Sequence, residues 1–132
     1  MPITILIADD YDDNRELLKL LLQTAKYDVR EARNGFECVE SAREFLPDLI
    51  MVDLSMPELD GWEVFRTLKS DPKTAHIPFV AVTAHTQRDC QKALHEGFNA
   101  FVPKPFKTEE MLETVARVVR ERALHVGESI RT

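Results

Sequence analysis

Five polar residues scattered along the chain have side chains suited to handling a phosphoryl group: Asp9, Asp10, Asp53, Thr83 and Lys104. Carboxylates crowded at one place repel each other, and at least one pKa rises unless a cation compensates. Oxygen ligands of this kind suit Mg²⁺ (or Mn²⁺), which takes one or two carboxylates, keeps several waters and bridges to phosphate. An ammonium from Lys104 and a hydroxyl from Thr83 are the donors that a phosphoryl group needs. Phosphoryl transfer is mostly positioning and charge neutralisation, so this small set suffices. Asp53 is then the expected nucleophile, forming an aspartyl phosphate.

That chemistry requires a fold that gathers distant residues. Asp53 ends the short apolar run Leu49-Ile50-Met51-Val52, and turn residues follow at once at Pro57 and Asp60-Gly61. Such a run reads as a strand buried on both faces, the kind found inside parallel sheets. Strand and helix patterns alternate five times. Strands are expected at 3–8, 27–32, 49–53, 79–83 and 99–102, the second being more alternating, as an edge strand would be. Helices are expected at 13–25, 35–45, 61–70, 86–96 and 108 to about 124.

Each helix has an apolar stripe. Leu17, Leu18, Leu20, Leu21 and Leu22 form the first, with Asp13 as N-cap and Glu16 as its reciprocal partner. Phe36, Val39, Ala42 and Phe45 form the second, and Val64, Phe65 and Leu68 the third. In the last helix Thr108 is the expected N-cap, with Leu112, Val115, Ala116 and Val119 facing the core. Regular βα alternation implies a doubly wound α/β parallel sheet with helices on both faces. All five polar residues then fall at carboxyl ends of strands, where open α/β sheets bind ligands. In the flavodoxin-like strand order 2-1-3-4-5 the acids sit at the switch point between strands 1 and 3.

Composition narrows the class. A chain of 132 residues buries a core as one domain, without disulfide or metal staples. We expect that domain to span 1–124, with a polar, frayed tail at 125–132. A net charge of −6 disfavours a nucleic-acid partner, since phosphate contacts need clustered Lys and Arg. Cys38 and Cys90 lack metal spacing and read as reduced, structural thiols. No apolar stretch has membrane-spanning length and no signal-peptide profile opens the chain, so a cytoplasmic protein with no membrane partner is expected.

The combination of Asp9-Asp10, Asp53 with Met56-Pro57 and Asp60-Gly61, Thr83-Ala84, and Phe101-x-x-Lys104-Pro105 resembles the receiver domain of two-component response regulators. The resemblance covers residues 3 to about 122 and implies the CheY-like, five-stranded, five-helix form of the fold. It implies Asp53 as phosphoacceptor, Asp10 as a direct Mg²⁺ ligand, Asp9 acting mainly through water, and the Ser55 backbone carbonyl as a further ligand. By the same resemblance Thr83 and Lys104 reach the phosphoryl group, and Phe101 swings inward as Thr83 moves. The bond before Pro105 would be cis, which proline makes affordable. Ser55 and His85, each two residues after Asp53 and Thr83, flank the expected path of a hydrolytic water. A small Ser55 would leave that path open, and His85 would cover it or position the water.

The implied partners are a histidine kinase or histidine phosphotransfer protein, docking near Tyr11 and Asn14, and a downstream protein target. The target would read a surface formed by residues 84–98, 99–103 and 106–122, with the protein monomeric or a phosphorylation-dependent homodimer. The leading expectation is a stand-alone receiver, with only self-phosphorylation and self-dephosphorylation as chemistry. A receiver excised from a hybrid kinase or larger regulator is the alternative within the family. A Mg²⁺-dependent phosphohydrolase with an Asp nucleophile is an alternative of another class, but it would need a second acid at position 55, where Ser stands. A flavodoxin-like redox module is a further alternative, and the turns lack the Ser/Thr/Gly-rich cradle that FMN needs.

Overall fold

Short apolar runs and helical stripes produce the expected alternation. The computed structural model describes residues 2–84 and 87–131, with side chains described to residue 122. Its elements are β1 Thr4–Ala8, α1 Asp12–Thr24, β2 Asp28–Ala32, α2 Gly35–Phe45, β3 Leu49–Asp53, α3 Gly61–Lys69, β4 Phe79–Thr83, α4 Gln87–Glu96, β5 Ala100–Pro103 and α5 Thr108–Arg131. The sheet is wholly parallel in the order β2-β1-β3-β4-β5. All residues of β3 and β4 are buried, as continuous apolar strands covered on both faces must be. Edge strand β2 buries only Ala32 completely.

Successive side chains of a strand point to opposite faces, and this builds two cores. Leu6, Ile50, Val52 and Ala81 pack with α2, α3 and α4 through Val39, Ala42, Val64, Phe65, Leu68 and Ala93. Ile5, Ile7, Met51, Val80 and Val82 pack with α1 and α5 through Leu18, Leu22, Met111, Val115 and Val118. Both cysteines are free and buried. Burial pushes the Cys38 thiol up to about 12 and raises Cys90 as well, so the reactive thiolate is scarce. A thiol alkylant should therefore leave the native protein unmodified at neutral pH and label both residues in urea. Intact mass reads the outcome, and labelling of the native protein would contradict this packing.

Local details differ from the sequence pattern. The expected capping box at Asp13 and Glu16 does not form: Tyr11 occupies the α1 N-cap with no side-chain bond. Asp12 and Asp13 instead lie in the first turn, where carboxylates favour the positive end of the helix dipole. A capping box closes α3, with Asp60 accepting from the Glu63 N–H at 2.9 Å and Glu63 accepting from the Asp60 N–H at 3.3 Å. Leu17, Leu20, Phe36 and Phe45 are exposed, because only one arc of each helix reaches the sheet. The buried face of α5 centres on Met111, Val115 and Val118, and Leu112 and Val119 flank it. That helix has the bounds Thr108–Arg131, and the tail expected at 125–132 lies outside the residues whose side chains are described.

Candidate functional site

Register assembles the site. β1 and β3 pair Ala8 with Val52, so Asp9 and Asp53 leave neighbouring strands at the same level. β4 and β5 pair Thr83 with Pro103, and the Lys104 N–H donates to the Thr83 carbonyl at 2.7 Å. Lys104 is thereby delivered to the acids although 51 residues separate it from Asp53. The Lys104–Pro105 bond is cis. Gly61 sits so close beneath β3 that a Cβ would lie 2.5 Å from the Asp53 carbonyl oxygen, and only glycine tolerates that approach.

Asp9 and Asp53 are 3% and 6% exposed, and Asp10 is exposed beside them. One carboxylate oxygen from each of the three lies within 4.8 Å of the others. The Lys104 ammonium donates to Asp53 Oδ2 at 2.8 Å and to Asp9 Oδ2 at 3.1 Å. The second oxygens are held by backbone: Asp53 Oδ1 accepts from the Ser55 N–H and Asp9 Oδ1 from the Tyr11 N–H, both at 2.9 Å. Each buried acid thus has one oxygen fixed by an amide and the other on a shared cation.

Burial raises the Asp9 pKa, and it outweighs the Tyr11 N–H and the Lys104 charge, which oppose it. Burial also disfavours the Lys104 ammonium, but hydrogen bonds and charge from Asp53 and Asp9 prevail and raise its pKa. The lysine is firmly cationic, as neighbouring carboxylates require. Three carboxylates at an opening suit an oxygen-seeking divalent cation such as Mg²⁺. Such an ion fits the donor set and would relieve the repulsion that one ammonium now counters.

Thr83 is fully buried at the end of β4, Ser55 is exposed just after Asp53, and Phe101 is half-buried against the α2–α4 core. Pro105 lines an opening of about 330 Å³ beside the acids with Asn14, Leu17, Ala84, Lys104 and Phe106. His85 lies outside the described residues. The structure brings together Asp9, Asp10, Asp53 and Lys104, with Thr83 tied to Lys104 through backbone.

Arg15 is the participant that pattern reading missed. It is 7% exposed, donates through Nη1 to the Asp9 carbonyl at 2.8 Å, and pairs with Asp12 and Glu31. The signal was present: Arg15, Leu18 and Leu22 follow helical spacing, so a charge stands on the inward face of α1. A cation there needs partners, and the acidic loop supplies them.

Comparison with known proteins follows the same lines. The response regulator receiver domain family matches residues 5–116. The polar-differentiation response regulator DivK of Brucella anthropi is 35% identical over 116 residues, covering 87% of this chain and 94% of that protein. Among solved structures, the Vibrio cholerae chemotaxis protein CheY4 superposes with a TM-score of 0.83 at 28% identity, over 89% of this chain and 99% of that one. The receiver domain of a Pseudomonas aeruginosa sensor histidine kinase, with a magnesium ion coordinated in its active site cleft, gives a TM-score of 0.82 at 27% identity. That match covers 90% of this chain and 98% of the receiver.

Proposed function

The chain belongs to the response regulator receiver domain family, and from that premise we propose that it accepts a phosphoryl group on Asp53 in a Mg²⁺-dependent reaction. The observation that carries this reading is the Lys104 ammonium held between Asp53 and Asp9. A carboxylate oxygen of Asp53 attacks phosphorus as the bond to the donor breaks, and the leaving group departs on the opposite side. Asp10, Asp9, Asp53 and the Ser55 carbonyl are the groups that would hold Mg²⁺, which supplies charge neutralisation at the phosphoryl oxygens. Lys104 and Thr83 take the remaining phosphoryl oxygens. The lysine needs no change of protonation state to do so.

The donor is a histidine kinase or histidine phosphotransfer protein. It docks over exposed Tyr11 and the opening at Asn14, Leu17 and Phe106. Phosphorylation draws on Thr83 and biases a two-state surface over α4, β5 and α5, with Phe101 and Pro105 as switch residues. A groove of about 640 Å³ on that surface, lined among others by Phe101, Glu110, Arg117 and Arg120, is where the target protein binds. Ser55 and His85 set the lifetime of the phosphate. Monomeric and phosphorylation-dependent dimeric states both fit this surface.

Residues 1–124 form the receiver, and its role is stand-alone. The support is that DivK, at 35% identity, is covered over 94% of its own length, which favours this over a receiver taken from a hybrid kinase. Among the described residues no helix is long and apolar enough to cross a membrane; with two reduced thiols, this supports a cytoplasmic location. Chemistry is confined to gain and loss of its own phosphate, and Ser at position 55 counts against phosphohydrolase turnover.

The test is intact-mass spectrometry after incubation with Mg²⁺ and a small acyl phosphate. Wild type should gain one phosphate and should gain none when Mg²⁺ is chelated before the reaction, and Asp53→Asn should gain none in either case. Donor turnover without any adduct would favour the hydrolase, and an adduct persisting in Asp53→Asn would remove Asp53 from its role.

A further inference from the structure

The last residue of α4 is Glu96, a carboxylate at the negative end of a helix dipole, where acids are disfavoured. One of its oxygens is buried with no hydrogen-bond partner among the described residues. The other accepts from Arg66 Nη2 of α3 at 3.1 Å. One turn earlier on α4, the Lys92 ammonium lies 4.9 Å from the centroid of the Trp62 ring, also on α3. Trp62 in turn meets Phe98 edge-on at 5.7 Å, and Phe98 stacks on Phe65 at 4.2 Å. Between them Gly97 takes a φ of +118°, with Phe65 directly beneath it. The carboxyl-terminal end of α4 and the turn into β5 are therefore fastened to α3 by an ion pair, a cation–π contact and an aromatic stack.

Along α4 only Cys90 and Ala93 are buried, and its amino-terminal end follows Thr83 and Ala84 at the site. Resting on the phosphoacceptor reading above, we propose that Arg66–Glu96 and Lys92–Trp62 form a clamp that opposes the phosphorylation-linked displacement of α4. The four are positioning residues: they touch neither phosphate nor metal, and they set how strongly the phosphoryl group must pull. A helix pinned at one end and drawn at the other strains the pin. The resting arrangement is thus favoured by whatever the clamp contributes, and by linkage the phosphorylated state is disfavoured by the same factor.

The experiment is a titration of a small acyl phosphate with Mg²⁺ present, reading the phosphorylated fraction by intact mass and α4 by fluorescence of Trp62, the one tryptophan in the chain. Arg66→Gln, Glu96→Gln and Lys92→Met should each lower the half-saturating donor concentration about twofold to fivefold, the range that exposed ion pairs and cation–π contacts supply. The reversed pair Arg66→Glu with Glu96→Arg should return it towards wild type, which a merely structural role would not do. An adduct that forms in wild type and at unchanged donor concentration in every variant would overturn the clamp, as would a reversed pair behaving like the single variants. Lowered urea midpoints without a shift in the titration would overturn it too. Absence of any adduct in wild type would instead overturn the phosphoacceptor reading, and the clamp's role with it.

Discussion

Replacing Lys104 with Met should leave a folded protein that is less stable by about 3 kcal/mol at neutral pH, the lower end of the cost of removing one partner from a buried ion pair. The side chain is only 16% exposed, and its ammonium is the cation shared by Asp53 and Asp9. Without it two buried carboxylates face each other, and the Asp9 carboxyl, which burial already holds above its ordinary value, is pushed further up. The native variant then binds more protons than its unfolded form, so its stability falls as pH rises through that raised value. Urea midpoints should show the deficit largest near about pH 8 and smaller near about pH 5. Mg²⁺ should recover much of it, since a ligand at about one hundred times its dissociation constant adds about 2.7 kcal/mol. A deficit independent of both pH and Mg²⁺ would mean that lost packing, not exposed repulsion, is the cause.

The second large effect is expected at Arg15. Substitution by Met keeps the stem that fills the inward face of α1 and removes the guanidinium from the Asp9 carbonyl, Asp12 and Glu31. The carbonyl of Asp9 loses a charge-assisted bond at a buried position, and among the described residues Glu31 keeps the surface partner Lys19 at 3.1 Å. Stability should fall by about 2–4 kcal/mol, the range for breaking a buried hydrogen-bonded charge network. Mg²⁺ affinity should weaken as well, because the Asp9-Asp10 turn loses the contact that fastens it to α1. Urea midpoints with and without Mg²⁺ separate the two effects. Lost stability with unchanged Mg²⁺ affinity would make Arg15 a support of the helix alone.

Much of this molecule is legible in one dimension. The runs at Leu49–Asp53 and Phe79–Thr83 are strands with the bounds that their composition suggests, because continuous apolar segments of that length fit only a strand covered on both faces. α2 likewise keeps its expected bounds, Gly35–Phe45, capped by the Asn34 side chain. Faces of helices are harder. Phe36 and Phe45 share a stripe with Val39 and Ala42, yet only the second pair is buried, and Phe45 instead stays exposed with the Arg30 guanidinium of β2 3.6 Å above its ring. Hydrophobicity says that a face wants burial, and only neighbouring elements decide which arc receives it.

The caps show the same division. Asp60 with Glu63 closes α3 through bonds three residues apart, a purely local matter. Asp13 with Glu16 has the same spacing and forms no box, because Asp12 is bound to Arg15 and Asp9 takes the Tyr11 N–H. Those partners come from a buried arginine and the end of a strand, and no local rule contains them.

For the site, residue type and order single out the candidate groups: acids following β1 and ending β3, a hydroxyl ending β4 and a lysine after β5, each placed by the direction of its strand. Their mutual geometry belongs to the tertiary structure. Strand register and the backbone bond from Lys104 to Thr83 bring an ammonium within 2.8 Å of Asp53 and 3.1 Å of Asp9. The inward turn of Arg15 beneath the acidic loop was decided there too. Periodicity is a property of neighbouring residues and is written in the chain, whereas a shared cation depends on distances between strands that only the closed sheet defines.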